Sequence, residues 1–347
     1  MERILAIDVG AGTQDILLYD PTQPLENNVK IVLPSWTTVL AGRIERATRE
    51  GRPIFLTGNI MGGGPCVSAM KRHVKAGYPV YATPKAARTI RDNPDEVRAR
   101  GIEIVDAPPA LPDLLTLETH DVNLEALAHG LAPFDVTLPE RYAIAVQDHG
   151  DDTGESQRKS RFRLWEDFLH QERGDITRLI YTNPPCNLNR MCAVQEDLPG
   201  ALLMDTGAAA IWGILQDPIP AQYQEEGFIA VNVGNKHILG MLVQGERILG
   251  LFEYHTVLCD TEQLAALVNA LRAGALDNDA VRTSGGHGAA YQPDYRPGAG
   301  FDFVAVTGPQ RAMAHGLDYT FAAPYGDMML TGCFGLVAAA QRLLEGA

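Results

Sequence analysis

The chain has 347 residues, of which 46% are hydrophobic and 21% charged, so it is long enough for two hydrophobic cores of ordinary globular composition. Lysine and arginine number 29 against 43 acidic residues, and the net charge of −14 argues against nucleic acid and anionic membranes as main partners. No apolar run is long enough to span a bilayer, no secretory signal is recognisable, and five cysteines without a disulfide-framework spacing agree with the cytoplasmic location that we expect.

The first half of the chain has the alternating pattern of an α/β fold. We expect strands at residues 4–7, 16–19, 29–33, 53–57, 141–146 and 201–204, and helices at residues 38–50, 65–76, 157–171 and 207–215. Residues 91–140 are rich in Pro, Asp and Glu and show no clear period. The organisation of this middle segment therefore stays open.

The second half of the chain starts the same order again. We expect strands at residues 228–231, 237–243, 247–254 and 303–306, and a helix at residues 331–344. Asp260 and Gln263 have the spacing of a capping box, so a further helix is expected from Asp260 to Gly274. Residues 277–300 are rich in Gly and Pro and are interpreted as a loop.

Two segments of the first half resemble two segments of the second half, and they occur in the same order. ILAIDVGAGTQDILLYD corresponds to FIAVNVGNKHILGMLV, and PIFLTGN corresponds to FVAVTGP. Each half therefore gives a strand, a glycine turn, two more strands, a helix and a strand that ends in Thr-Gly. We interpret this order as an internal duplication, with a first lobe at residues 1–215 and a second lobe at residues 216–347. The alternative is a chance recurrence of a common strand–glycine–strand pattern.

These segments resemble motifs of the actin, sugar-kinase and Hsp70 superfamily of ATP-binding proteins. The two longer segments are similar to its two phosphate motifs, FVAVTGPQRAMA is similar to its adenosine motif, and DTGAAAIWGIL and TGCFGLVAAAQRLL are similar to its two connecting helices. The resemblance spans nearly the whole chain. It implies an α/β fold of two duplicated ribonuclease H-like lobes, the actin-like ATPase fold, with a nucleotide cleft between the lobes and with ATP and Mg²⁺ as cofactors.

The turn between the first two strands is longer and more polar than a tight hairpin requires. Gly10 and Gly12 allow the backbone to come close to a phosphate and to donate N–H groups to it. Thr13 adds a hydroxyl and Gln14 adds an amide. Asp8 ends a buried strand, where its carboxylate could hold hydrated Mg²⁺ and act in catalysis. The alternative is an ordinary polar hairpin.

The second turn differs from the first in its charge. Asn232 stands where the superfamily usually has an aspartate, and an amide brings no negative charge to a hydrated magnesium ion. Gly234 and Asn235 continue the turn, and Lys236 could neutralise phosphate charge as a point cation. A solvated lysine at the end of a strand is the alternative. The departure at Asn232 affects the expected turnover more than the expected nucleotide binding.

Two further places complete the expected nucleotide site. Asp205 precedes the first connecting helix, where the superfamily often has a catalytic carboxylate that orients water or deprotonates a hydroxyl. Asp205 also has the context of a helix N-cap, and the two roles are compatible. Thr307, Gly308 and Pro309 would let adenine and ribose approach the second lobe, although a plain turn after a strand explains them equally.

Three other segments keep an open interpretation. Residues 147–152 could hold a metal ion, although an acidic solvated loop is the simpler explanation. Residues 62–65 could bind an anion at a helix start or form a flexible turn. Cys186 and Cys192 match no zinc or iron–sulfur spacing, which favours inert cysteines.

The resemblance extends to an uncharacterised branch of the superfamily with the provisional label of a pyruvate formate-lyase activating protein. A radical-SAM activator needs a Cys-x3-Cys-x2-Cys cluster site, and this spacing is absent from the sequence. We expect an ATP-binding protein, a Mg²⁺-dependent ATPase or a kinase of an unknown small molecule. The alternative, which Asn232 favours, is a non-catalytic or slow nucleotide switch acting on a partner protein, including activation of a redox or radical enzyme.

Overall fold

A computed structural model of the chain describes residues 2–150, 157–298 and 300–345. Its strands are, in chain order, β1 (Ile4–Val9), β2 (Thr13–Tyr19), β3 (Val29–Pro34), β4 (Ile54–Gly58), β5 (Val80–Ala82), β6 (Ile102–Ile104), β7 (Leu115–Thr119), β8 (Arg141–Val146), β9 (Leu202–Met204), β10 (Phe228–Val233), β11 (His237–Gln244), β12 (Arg247–His255), β13 (Gly286–Tyr291), β14 (Val304–Thr307) and β15 (Thr320–Phe321).

Its α-helices are α1 (Trp36–Glu50), α2 (Gly64–Lys75), α3 (Pro84–Ala87), α4 (Pro94–Ala99), α5 (Leu124–Leu131), α6 (Gln157–His170), α7 (Asn189–Asp197), α8 (Thr206–Ile214), α9 (Pro218–Ala221), α10 (Thr261–Arg272), α11 (Asn278–Thr283) and α12 (Thr331–Glu345). Among the described residues, no helix combines the length and the hydrophobicity that crossing a bilayer requires.

Two sheets share one strand order. The first is ordered β3-β2-β1-β8-β9, in which β2 is antiparallel to both its neighbours while β8 and β9 run parallel to β1. The second is ordered β12-β11-β10-β14-β15 with the same directions, and β13 is added beside β12. This ribonuclease H-like order, present twice, confirms the predicted duplication and the actin-like ATPase fold.

A third sheet is inserted between β3 and β8. Its four strands are ordered β6-β5-β4-β7 and are all parallel. Leu40 and Ile44 of α1 and Met70 of α2 are buried in a separate hydrophobic core against it. The sequence predicts β4 and its flanking helices but not the other three strands. β5 and β6 have only three residues and show no usable period, and β7 lies within residues 91–140, whose organisation stayed open.

Helices α8 and α12 cross in the core between the two duplicated sheets. Glycine makes the crossing possible, because a Cβ at Gly213 would overlap the carbonyl oxygen of Thr331. In the same way, a Cβ at Gly335 would overlap the carbonyl oxygen of Ala209. The two backbones are therefore in direct contact where the helices cross.

Helix α12 also packs against the first sheet. The thiol of Cys333 donates to the carbonyl oxygen of Asp15 at 3.0 Å, and the amide of Gln341 donates to the hydroxyl of Tyr19 at 2.8 Å. The predicted second lobe, residues 216–347, thus includes a helix that covers the first sheet. The boundary near residue 215 stays a prediction.

The interpretation of residues 277–300 as a loop is wrong, since the chain forms α11 and β13 there. The glycines that suggested a loop instead allow β13 to pack closely. A Cβ at Gly286 would lie 2.7 Å from the ring of Tyr254, and one at Gly288 would lie 2.6 Å from the ring of Phe162. Composition alone does not distinguish a glycine-rich loop from a tightly packed strand.

Candidate functional site

A cavity of about 360 Å³ opens where the turns of the two duplicated sheets face each other. Small-molecule sites typically occupy roughly 300–1,000 Å³. The cavity is lined by most of the predicted site residues, namely Asp8, Gly10, Thr13, Asp205, Asn232, Gly234, Asn235, Lys236, Thr307, Gly308 and Pro309. The structure therefore gathers these residues at one place, while the role of each stays a prediction.

Gly12 and Gln14 lie outside the lining of the cavity. The amide of Gln14 donates to the carbonyl oxygen of Pro34 at 3.1 Å, so it is engaged with β3. Gly12 faces Asn235, whose amide nitrogen would lie 3.4 Å from a Cβ at position 12. Asn235 in turn accepts a hydrogen bond from the amide of Gln310 at 3.1 Å. Asn235 thus connects the first turn to the segment that follows β14.

The two glycine turns have the same backbone hydrogen bond. The N–H of Gly10 donates to the carbonyl oxygen of Thr13 at 2.8 Å, and the N–H of Gly234 donates to that of His237 at 2.9 Å. A Cβ would lie 3.1 Å from the carbonyl oxygen in the first turn and 2.9 Å in the second, which explains the glycines. The predicted donation from Gly10 N–H to phosphate is corrected accordingly, because this group closes the turn.

Two carboxyl groups face each other across the first hairpin. Asp8 pairs with Asp15 in the β1–β2 register, and Oδ1 of each is buried without a hydrogen-bond partner among the described residues. Burial raises the pKa of Asp8 well above its usual value, and the neighbouring Asp15 and Asp205 raise it further. Burial also raises the pKa of Asp15 to about 7. Orphaned carboxyl oxygens fit a hard cation such as Mg²⁺.

Asp15 was not among the site residues predicted from the sequence. The available signal was symmetry, because Asp8 and Asp15 are equally far from the centre of the turn and therefore pair when the hairpin closes. The first turn of α12 completes their surroundings. A Cβ at Gly332 would overlap the carboxylate of Asp8, so glycine is required where this helix meets the pair.

Asp205 is the N-cap of α8, as predicted, and accepts the N–H of Gly207 at 2.9 Å. Its two oxygens also receive the buried guanidinium of Arg161 at 2.6 and 2.9 Å. These three bonds engage both oxygens of Asp205 and hold the carboxylate in a structural role, with one acceptor position left on Oδ2. The catalytic role predicted for Asp205 stays a prediction.

Arg161 is a functional candidate that the sequence analysis missed. Besides Asp205, its guanidinium contacts Glu253 at 3.2 Å and donates to the carbonyl oxygen of Asp148 at 2.9 Å. Trp165 donates its indole N–H to Glu253 at 3.1 Å. Burial alone would raise the pKa of Glu253, but Arg161 and the nearby histidines lower it to about 2. Glu253 is therefore a buried, ionised carboxylate.

Four histidines surround Glu253, and we call His237, His255 and His287 the histidine triplet. Across β11 and β12, His237 is paired with His255, and their ring centroids are 5.0 Å apart. The ring of His287 is 4.8 Å from each of theirs. Burial lowers the pKa of His149 to about 3 and those of His237 and His287 to about 4, so these imidazoles are neutral at pH 7.

The glycines at residues 62–64 border the cavity beside a second buried ion pair. Arg190 binds Asp121 through two hydrogen bonds of 2.7 and 2.8 Å, and Gly62 donates its N–H to the same carboxylate at 3.1 Å. A Cβ at Gly62 would lie 2.7 Å from the Arg190 guanidinium. This contact explains the glycine, and anion binding by the turn stays a prediction.

Of the segment 147–152, the structure describes the first four residues, and Asp151 and Asp152 lie outside the described residues. The carboxylate of Asp148 accepts the N–H of Gly150 at 2.8 Å and that of Met191 at 2.9 Å. Asp148 thus anchors the segment to α7, which argues for a structural role and not for metal binding.

The five cysteines are free and do not gather at one site. Cys66 lies in the core of the inserted sheet, Cys333 lies between the duplicated sheets, and Cys259 packs against the core of the second sheet. Burial raises the pKa of Cys192, whose thiol donates to the carbonyl oxygen of Pro185 at 3.5 Å. This arrangement agrees with the predicted inert cysteines.

A protein-family model described as "Putative pyruvate format-lyase activating enzyme (DUF1786)" matches residues 61–313, which is more than half of the chain. No curated protein matches the chain.

Among solved structures, a Bacteroides thetaiotaomicron protein with actin-like ATPase fold and unknown function is similar at 10% identity over 97% of this chain and 96% of that chain, with a TM-score of 0.38. The PilM–PilN type IV pilus biogenesis complex is similar at 10% identity over 98% of both chains, with a TM-score of 0.36. The ethanolamine utilization protein EutJ from Carboxydothermus hydrogenoformans is similar at 10% identity over 97% of this chain and 90% of that chain, with a TM-score of 0.29.

Proposed function

This chain belongs to the DUF1786 family, and we propose that it is a Mg²⁺-dependent ATP-binding protein that hydrolyses ATP or transfers its terminal phosphoryl group to a small molecule. One observation carries the proposal: two copies of the same glycine turn face a single cavity, and their side chains have complementary charges. The first copy presents the pair of Asp8 and Asp15, and the second presents Lys236.

The first turn would hold the cation. Asp8 and Asp15 each have a buried oxygen without a partner among the described residues, and oxygen is the ligand that Mg²⁺ requires. When bound, the ion would supply positive charge to the terminal phosphates of the nucleotide. The carboxyl pair costs free energy while it is unpaired and buried, so cation binding removes an unfavourable interaction.

The second turn would hold the phosphates from the opposite side. Lys236 is exposed at the cavity and forms no ion pair with any described residue, so its ammonium is available for an anion. Thr307 ends β14, and Gly308 and Pro309 follow it beside this turn, where we place the adenosine end of the nucleotide. Glycine at 308 lets this segment pack against the second turn, because a Cβ there would lie 2.6 Å from Oδ1 of Asn232.

A slow nucleotide switch that acts on a partner protein is the second candidate. The observation that favours it is the pairing of Asp205 with Arg161, which engages both oxygens of this carboxylate and stabilises its ionised form against taking up a proton. Asn232 also adds no negative charge to the cation site. As a switch, the protein would close its cleft when ATP binds, and a partner protein would recognise the closed state. Slow hydrolysis of ATP would return the protein to the open state.

The test is a thermal-shift and calorimetric screen of nucleotides with and without Mg²⁺, followed by phosphate release under saturating ATP. Binding to the folded state raises the melting temperature by mass action. We expect ATP with Mg²⁺ to raise it and ATP alone to do so much less. If no nucleotide changes the melting temperature or gives heat of binding, the proposal is wrong. Tight binding with negligible phosphate release would select the switch.

A further inference from the structure

The histidine triplet lies on three adjacent strands of the second sheet. His237 begins β11, His255 ends β12, and His287 is the second residue of β13. One ligand atom from each ring lies within 4.8 Å of the others. In a tetrahedral zinc site with bonds of about 2.1 Å, ligand atoms lie about 3.4 Å apart, so small side-chain rotations would complete the coordination.

Neighbouring groups hold the rings in place. The side-chain amide of Gln147 contacts Nδ1 of His237 at 2.7 Å, which leaves the other ring nitrogen for a ligand. The ring of His255 lies beside the backbone of Lys236. Metal-binding histidines are usually fixed in this way, by a hydrogen bond to the nitrogen that does not bind the metal.

His287 is the strongest single indication of a ligand. It is 1% exposed, and neither of its ring nitrogens has a hydrogen-bond partner among the described residues. A buried polar group without a partner costs free energy, and nearly all such groups in native proteins are satisfied by protein, water or an ion. The carboxylate of Glu253, 3.9 Å from Nδ1 of His287, offers additional negative charge.

The buried charges beside the triplet also favour a cation. Arg161 contributes one positive charge, whereas its two partners Asp205 and Glu253 are both carboxylates. Within this ion-paired group, carboxylates therefore outnumber the guanidinium by one. A divalent cation bound by the triplet would be attracted by that excess.

We propose that His237, His255 and His287 bind a divalent first-row transition metal ion, with Zn²⁺ as the best fit. Imidazole nitrogens are ligands for Zn²⁺, Co²⁺, Ni²⁺ and Fe²⁺, whereas Mg²⁺ requires oxygen. Three histidines with a remaining coordination position are typical of zinc sites that also bind a water or a substrate. The site is separate from the carboxyl pair of the first turn and does not depend on ATP binding.

The test uses the full chain without a polyhistidine tag, stripped with a chelator and then titrated with Zn²⁺ or Co²⁺. We expect one Zn²⁺ per chain and a visible d–d absorption band with Co²⁺. The variant His255→Gln should weaken Zn²⁺ binding by about 100-fold or more, because it removes one ligand. Excess Mg²⁺ should not displace the metal.

Two controls make the result specific. His120→Gln alters a buried histidine that stacks on Trp36, outside the triplet, and should retain Zn²⁺ affinity. Asp8→Asn should also retain it, which separates this site from the proposed Mg²⁺ site. His287→Gln should lose as much Zn²⁺ affinity as His255→Gln. If His287→Gln fails to fold, the variant at the partly exposed His255 alone tests the proposal. Equal Zn²⁺ affinity in wild type and His255→Gln, or an equal loss in His120→Gln, would overturn the proposal.

Discussion

The two glycine turns of this protein share the same backbone hydrogen bond but carry side chains of different charge. Both follow the first strand of a ribonuclease H-like sheet, and both close with a hydrogen bond from glycine to the carbonyl three residues later. Where the first turn pairs Asp8 with Asp15, the second pairs Asn232 with Leu239. The second turn has Lys236 instead, next to the histidine triplet.

This difference shows what the fold constrains and what it leaves free. The turn requires glycine at one position, because a Cβ there would approach the carbonyl too closely in either copy. The side chains that point into the cavity are under no such constraint. Duplicated scaffolds can therefore divide a task, and here we assign cation binding to the first turn and anion binding to the second.

The largest effect is expected when the negative charge of Asp8 in the first turn is removed. Asp8→Asn preserves size and hydrogen bonding, so we expect Mg²⁺-dependent turnover to fall by roughly 10²-fold or more as a few kcal/mol of stabilisation are lost. Without Mg²⁺, the melting temperature should stay or rise, because repulsion with Asp15 and Asp205 disappears. ATP affinity with and without Mg²⁺ is the measurement, and equal Mg²⁺ dependence in both proteins would remove Asp8 from the cation site.

The second effect is the pH dependence of Mg²⁺ binding. The pKa of Asp15 is about 7, so a proton must leave the carboxyl pair before the cation binds. Affinity should fall up to about tenfold for each pH unit below 7 and level off above it. Without Mg²⁺, the raised pKa of Asp15 has the opposite consequence for stability. The free energy of unfolding falls as the pH rises from 3.8 towards 7, because the folded state holds a proton that the unfolded state has lost. Titrations of wild type and Asp15→Asn between pH 5.5 and 8 check both, since the variant should lose the part of the pH dependence that Asp15 contributes and keep only that of the buried Asp8.

The third effect concerns the cation of the second turn. Lys236→Met should weaken ATP binding by roughly tenfold, the value of one charge-assisted hydrogen bond. The melting temperature should not change, because Lys236 is exposed and has no ion pair among the described residues. Lys75→Met, on the exposed side of α2, is the matched control for the loss of one positive charge. The measurement is calorimetry of ATP binding. An equal loss of affinity in both variants would show that Lys236 acts only through the net charge of the protein.

The smallest effect should come from making the second turn resemble the first. Asn232→Asp adds a carboxylate, but Leu239 stands opposite it where the first turn has Asp15, so no pair forms. We expect Mg²⁺ affinity to rise by about threefold at most, within the range of a single weak charge interaction. A gain comparable to the loss in Asp8→Asn would show that the turns are interchangeable, and the proposed division of tasks would fail.

The order of elements was accessible from the sequence, because β1, β2, β10 and β11 are long apolar runs that flank glycine turns. Most predicted site residues line one cavity for the same reason, since equivalent turns of a duplicated fold face each other. The position of Asp205 before a helix also predicted its cap correctly.

What the sequence did not provide depends on contacts between distant segments. The partners of Arg161 come from α8 and β12, and the histidine triplet combines three strands whose spacing along the chain follows no motif. The use of Gly10 N–H within its own turn is likewise visible only in three dimensions. Strand register, and not residue spacing, decides these contacts.

The packing of α12 against the first turn has a consequence for the timing of folding. The hairpin of β1 and β2 is local and can form early, whereas Cys333 contacts Asp15 across 318 residues of sequence. Before α12 docks, we expect the carboxyl groups of Asp8 and Asp15 to be more open to water and closer to ordinary acidity, because Gly332 and Cys333 of this helix contact the two residues. Docking buries them, so near pH 6 the chain must take up protons in this late step. Refolding in a weakly buffered dye should therefore show proton uptake that follows the formation of the sheets and that Mg²⁺ suppresses.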